Sequence, residues 1–221
     1  MPIAKSSSSN VAPVPAGTHL GICYSVIDIG TPPQHGNFPS RRKVLISFEL
    51  PHVRASFTNK ETGATEERAR VISGDFTLST DKKATLRKHL AAWRGRDFTA
   101  DEAKAFDIGK VCGVRALLSV VHKPSADGSK VFANIASIMA PMKGVVAPPL
   151  ENAKLIWDIP AAAPVAFPDD MPEWIQNRIK ASDEYIALTN PQASAPRDEG
   201  HGGTGQAFPT DGPDDDSSVP F

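Results

Sequence analysis

Aromatic residues supply only 7% of this 221-residue chain, and cysteine occurs twice. The cysteines, Cys23 and Cys112, lie far apart in apolar runs, with no Cys-x-x-Cys pair and no histidine at ligand spacing. A disulfide scaffold and a zinc site are therefore excluded, and both thiols are expected as small core groups in a reducing compartment. No stretch approaches the roughly 18 continuous apolar residues of a membrane helix. The start, Met1-Pro2-Ile3-Ala4-Lys5 followed by serines, lacks the apolar centre of a secretion signal, so the expected location is the cytoplasm. Net charge is nearly absent as well, at -1. That figure hides a split: residues 1–140 hold 19 Lys+Arg against 12 Asp+Glu (+7), and residues 141–221 hold 5 against 13 (-8). A basic body carries an acidic tail.

Prolines divide the chain in the same place, eight before residue 141 and twelve after it, which marks the end of a compact fold near Pro141 to Gly144. Before that boundary five β-type runs stand out: Thr18–Ile29, Arg42–Leu50, Arg70–Leu78, Val111–His122 and Lys130–Met139. In the second, Val44, Ile46, Phe48 and Leu50 alternate with Lys43, Ser47 and Glu49, the pattern of a half-buried strand. Between the third and fourth runs the period becomes helical, with Leu86, Leu90 and Trp93 on one stripe, Lys82, Lys83, Arg87 and Lys88 largely elsewhere, and Gly95 as the stop. Thr99-Ala100-Asp101-Glu102 reads as a capping box opening a second short helix.

Three strands, a helix and two strands predict an all-β core: a five-stranded OB-fold Greek-key barrel with a helix between strands 3 and 4. The expected layout is a flexible arm over 1–17, the OB domain over 18–143, and a Pro-rich extension over 144–190. The extension carries a helix at about 171–188, capped by Asp170 with Trp174, Ile175 and Ile179 on its apolar side, and a disordered acidic tail follows over 191–221.

An OB barrel presents ligands to strands 2 and 3 and the loops beside them. Those segments are basic here: Arg41, Arg42 and Lys43 end the first loop, Arg54, Lys60, Arg68 and Arg70 surround the connection between strands 2 and 3, and His122, Lys123 and Lys130 flank the last hairpin. Phe38, Phe57 and Phe132 lie in the same segments. Cations that follow phosphates and rings on which bases stack are the requirements for single-strand binding without sequence preference. Tyr24 is a weaker stacking candidate, and Trp93 sits on the helix's apolar stripe, where core packing is expected.

The chain closes with Asp214-Asp215-Asp216-Ser217-Ser218-Val219-Pro220-Phe221. An aromatic ring beside a carboxylate, preceded by aspartates, suits a small apolar pocket rimmed by cations on a partner protein. This ending resembles the acidic tip of bacterial single-stranded DNA-binding proteins, with Val219 where those have Ile and two serines interposed. The body resembles phage and prophage OB-fold single-stranded DNA-binding proteins over about residues 17–188. The resemblance is carried by Asp28-Ile29-Gly30, Leu86-Arg87-Lys88, Trp93-Arg94-Gly95-Arg96 with Phe98-Thr99, Phe106-Asp107, Val120-Val121-His122, Ala133-Asn134-Ile135 and Pro172-Glu173-Trp174-Ile175-Gln176. It implies a non-enzymatic protein that coats single-stranded DNA in the bacterial host cytoplasm during replication and recombination. Such a protein needs no cofactor, and recruits partners through Asp214, Asp215, Asp216, Val219, Pro220 and Phe221.

Two other readings stay open. The barrel could be a protein-interaction adaptor docking through the Trp174 helix and the tip, or Asp28, Glu49, Asp75 and Asp107 could serve a metal-dependent nuclease. Gly200-His201-Gly202-Gly203-Thr204-Gly205 matches a dinucleotide fingerprint in letters, but no strand precedes it and no helix follows. A -8 segment tethered to a +7 body is a competing polyanion at high effective concentration. Deleting residues 212–221 is therefore expected to tighten oligothymidine binding in fluorescence anisotropy at moderate salt; unchanged or weaker binding would remove the competition.

Overall fold

A computed structural model describes residues 12–34, 39–58, 63–125, 127–142 and 144–190. In chain order the elements are β1 (Gly17–Gly30), β2 (Lys43–Thr58), β3 (Thr65–Thr77), α1 (Thr85–Arg94), α2 (Ala100–Lys104), a 3-10 turn (Ile108–Val111), β4 (Arg115–Pro124), β5 (Val131–Met139), β6 (Leu155–Trp157), α3 (Glu173–Lys180) and α4 (Asp183–Thr189). The strands form one β-rich sheet in the order β3-β2-β1-β4-β5, antiparallel throughout, with β6 added parallel to β1. The two ends of the sheet, β3 and β5, approach each other at Gly74 and Ile135. A Cβ placed on Gly74 of β3 would lie 3.3 Å from Ile135 Cδ1 of β5 and 2.9 Å from the Phe76 ring, so any larger residue there would have to shift its neighbours. Among the described residues no helix is long and apolar enough to cross a membrane.

The concave side of the sheet holds the main core, in which Val44, Ile46, Phe48, Ile72, Phe76, Leu118, Val120 and Ile138 pack against Leu86, Leu90 and Trp93 of α1. The stripe read from the sequence is thus the buried one. Trp93 lies 5.4 Å from Phe48 between ring centroids and donates Nε1–H to the Arg115 carbonyl at 2.6 Å, a core role that removes it as a stacking platform. Arg87 differs from its expected place on the polar side. It is buried and ties together the segments on either side of α1, donating to the Thr80 carbonyl before the helix and to Asp97 and the Phe98 carbonyl after it. The capping box at Thr99 and Glu102 forms as expected.

Cys23 is fully buried, and burial pushes its thiol up, away from the nucleophilic thiolate; Cys112 is half-buried.

The hairpin of β2 and β3 runs well beyond the two apolar runs. Leu50 faces Arg70 and Arg54 faces Ala69, so Pro51, His52 and Val53 are extra residues on one strand, and pairing then resumes to Thr58 and Thr65. Proline cannot donate to a ladder, which is why the irregularity falls there. The segment expected as a connection is strand because its polar side chains stand on an exposed two-stranded arm.

The convex side of β1 and β2 is not a solvent face. A second core covers it, made of Ile27, Ile29 and Leu45 with Met171, Ile175 and Ile179, and bordered by Trp157, Phe167 and Tyr185. Ser47 and Glu49, expected on the open side of a half-buried strand, are 2% and 0% exposed. Glu49 accepts hydrogen bonds from the amides of Glu151 (3.0 Å) and Asn152 (2.8 Å) and from Asn152 Nδ2 (2.6 Å). The Glu151 carboxylate in turn accepts from Arg54 at 2.6 Å and from the Ala69 amide at 3.0 Å, and these donors hold its pKa below the usual carboxylate value.

The single helix expected over 171–188 is two helices, and Pro172 rather than Asp170 occupies the cap position of the first. Buried Ser182 causes the break: its hydroxyl donates to the Ile179 carbonyl at 2.6 Å and accepts from the Tyr185 amide at 3.3 Å, ending one helix and starting the next. Gly30, at φ +69, lets β1 end against this junction, where a Cβ would meet Ser182 at 2.5 Å. Glu184 fastens the contact by accepting from the Thr31 amide (2.6 Å) and hydroxyl (2.8 Å).

Replacing Glu49 by alanine leaves amides of residues 151 and 152 without their charged acceptor, and the expected loss in urea denaturation is about 3 kcal/mol. Limited proteolysis should then cut first between β5 and β6. An unchanged midpoint and digestion pattern would contradict the anchoring role.

Candidate nucleic-acid interface

On β3, Ile72 and Phe76 point into the main core, so Val71, Ser73 and Asp75 mark the opposite face. Three concavities follow one another along that strand. The first, of about 790 Å³, lies at its N-terminal end and is lined by Phe57, Arg68, Arg70 and Val71. The second, of about 320 Å³, reaches Val71 and Ser73. The third, of about 980 Å³, begins at Asp75 and extends over the start of α1 to β4 and β5.

The third concavity has the least compensated charge. Arg41, Lys82, Lys83 and Lys123 line it, and none of the four has an ion-pair partner among the described residues. Of its two carboxylates, Asp75 is taken by Arg178 at 3.0 Å, and Asp81 accepts from Ser79 Oγ at 2.9 Å. Helix α1 starts after Ala84 with no side-chain cap and no acid in its first turn, so its amide ends add to the positive potential. His89 sits edge-on to Phe76 with centroids 5.4 Å apart; burial pushes its pKa below the ordinary value, so near neutral pH it supplies a neutral ring. Lys123 is directly opposite Phe132, and Val121 is opposite Asn134, so these four side chains share one face of the β4–β5 pair. Phe132, 53% exposed, extends that face beyond the cleft.

The first concavity gathers Phe57, Arg68 and Arg70 as the sequence suggested, but its cations are largely spoken for. Arg68 pairs with Glu66 at 2.6 Å, and Arg54 at its edge pairs with Glu151 and donates to the Glu67 carbonyl. Arg70 has no ion pair among the described residues.

The remaining expected residues scatter. Arg42 departs from its expected role, because its guanidinium forms a two-pronged pair with buried Asp28, which also accepts from the Gly30 amide at 3.0 Å. Lys43 opens β2 opposite Thr77, outside all three concavities, and Lys130 stands at the exposed β4–β5 turn. His122 is held by the Val14 carbonyl at 2.8 Å. Phe38, Lys60 and the tip residues Asp214, Asp215, Asp216, Val219, Pro220 and Phe221 lie outside the described residues.

The acidic residues weighed for a metal site are held apart by separate duties. Asp28 binds Arg42, Glu49 binds residues 151 and 152, Asp75 binds Arg178, and Asp107 accepts from the Gly109 amide at 2.9 Å.

Lys82, Lys83, His89 and Asn134 are site residues that sequence reasoning left unassigned. A usable signal was present for the lysines: they precede a helix that has neither a capping side chain nor an acidic first turn. Comparison of the chain with protein-family models, curated proteins and solved structures gave no match.

The neighbouring residues Arg41 and Arg42 therefore have opposite expected behaviour. Arg42→Ala leaves the Asp28 carboxylate buried beside a single amide and should cost about 2 kcal/mol of stability, reduced from a fully buried pair because Arg42 is partly exposed. Arg41→Ala should leave the thermal midpoint within error. Equal melting of the two variants would contradict the assignment.

Proposed function

We propose that this chain binds single-stranded nucleic acid without sequence specificity, along the outward side of β3 and principally in the α1–β3–β5 cleft. The observation that carries the reading is the set of four cations, none ion-paired among the described residues, that line one cleft whose face continues to an exposed phenylalanine. Phosphates need uncompensated cations, which the cleft offers, and bases need rings without a directional hydrogen-bond code, for which His89 in the cleft and Phe132 on the adjoining face are the candidates. Single-stranded DNA is the proposed ligand.

The fold supports this reading through its strand order. The β3-β2-β1-β4-β5 order, with β3 and β5 in contact and a helix between β3 and β4 packed against the core, is compatible with an OB-fold barrel, and we take the fold to be one. The reading differs from the sequence expectation in place. The hairpin arginines are partly neutralised by carboxylates, and the convex face of β1 and β2 is occupied by residues 155–185, so the binding surface moves toward α1 and β5. The Asp214–Phe221 segment is proposed to recruit replication or recombination proteins.

Binding of oligothymidine should weaken steeply with salt, with a log–log slope near -0.7 for each phosphate contacted, so about -3 if all four cleft cations engage. The double variant Lys82→Ala/Lys83→Ala should flatten the slope by about 1.4 without changing the melting temperature. Duplex DNA and RNA titrated in parallel define the preference. A salt-independent affinity, or a double variant that binds as well as the parent, would overturn the reading.

A further inference from the structure

The middle concavity is built differently from its basic neighbours. Ser25 of β1 is in register with Ser47 of β2, and Ser47 with Ser73 of β3, so three serines form a row across adjacent strands. All three line the concavity. Ser47 and Ser73 satisfy each other at 2.8 Å. Ser25 is 2% exposed, and its Oγ has no hydrogen-bond partner among the described residues.

The walls above this row are aromatic and apolar. Tyr24 sits where the pairing of β1 with β2 shifts register between Cys23 and Ser25, an irregularity of the kind that re-aims a side chain. Trp174 comes from α3, whose Ile175 and Ile179 are buried in the second core while Trp174 stays 50% exposed at the rim. Val71, Leu155 and Pro172 are among its apolar lining, Asn152 adds an amide, and Asp170 adds one carboxylate.

We propose that this concavity is a nucleobase pocket, taking one base of a bound single strand between Tyr24 and Trp174 with its polar edge on the serine row. Its volume lies at the lower end of small-molecule pockets, the scale of a base with its sugar rather than of a dinucleotide. Serine hydroxyls rotate to donate or accept, so the row meets the edge of any base and imposes no sequence. The pocket shares Val71 and Asn152 with the groove that holds Arg68 and Arg70, and Ser73 lies two residues before Asp75 of the basic cleft. A strand laid along β3 therefore meets cations on both sides of the pocket. The oligonucleotide arm of the following test rests on the proposed function; the nucleoside arm does not.

The full chain and the variants Trp174→Ala and Ser25→Ala are each titrated with thymidine, with an oligothymidine, and with an abasic sugar–phosphate oligomer of the same length. Ser25→Ala removes a hydroxyl with no hydrogen-bond partner among the described residues, so it keeps the test valid if Trp174→Ala perturbs folding. Trp174→Ala is expected to weaken oligothymidine binding about tenfold and to leave the abasic oligomer unchanged. Ser25→Ala should weaken it in the same selective way by a smaller factor. Millimolar thymidine should shift the NMR signals of the Ser25 amide and the Trp174 indole, less so in Ser25→Ala. Variants that weaken both oligomers equally, or neither, would overturn the pocket and leave single-strand binding standing. If the parent chain bound neither oligomer, the proposed function would fail; thymidine shifts at Ser25 and Trp174 would still support the pocket, and their absence would overturn it too.

Discussion

A carboxylate with no access to water must find its hydrogen bonds in the protein, and Glu49 finds them in the backbone of residues 151 and 152, far along the chain. That requirement fixes where the segment after β5 crosses the sheet. Once it crosses there, β6 pairs with β1, and α3 can lay Ile175 and Ile179 on Ile27 and Leu45. Glu151, placed by the same bond, holds Arg54 and the Ala69 amide at the irregular step of the long hairpin. Asp28 with Arg42, and Thr31 with Glu184, repeat the device at the far end of β1. The convex face is thus largely closed by polar pegs around a small apolar patch, and what stays open is the line along β3 with the concavity over Ser25 and Ser47.

This distribution is why charge alone is a poor guide to the proposed binding surface. Arg42, Arg54 and Arg68 look as available in the sequence as Arg41, yet each is tied to a carboxylate, one of them buried. A phosphate arriving at those positions has to displace an existing partner. At Arg41, Lys82, Lys83 and Lys123 no ion-paired carboxylate among the described residues stands in the way, so the proposed phosphate contacts would gain from the release of counterions. The near-zero net charge of the whole chain reflects the -8 of residues 141–221 and carries no information about this local potential.

Much of the architecture was legible in the residues. The alternation of Val44, Ile46 and Phe48, the Leu86–Leu90–Trp93 stripe and the Thr99 capping box reported local geometry and core direction, because those patterns depend only on strand and helix periods. The second core was not legible, since Ser47 and Glu49 read as solvent-facing until the distant amides and the Ser73 hydroxyl that satisfy them are known. The break at Ser182 was hidden for the same reason: a mid-helix serine ends a helix only when its hydroxyl and the chain around it, here Gly30 and Thr31, are placed to hold the junction. At the candidate site Arg41, Lys123 and Phe132 were readable from their loops and strand parity. Lys82 and Lys83 were passed over as the polar side of a helix, although they stand before its first turn.

The central claim is that the strand lies against α1, β3 and β5, and amide hydrogen exchange with and without oligothymidine tests it most directly. The account predicts added protection in residues 79–89 and 131–136, lost when the salt concentration is raised. Protection confined to the exposed arm of β2 and β3, or absent throughout, would contradict it.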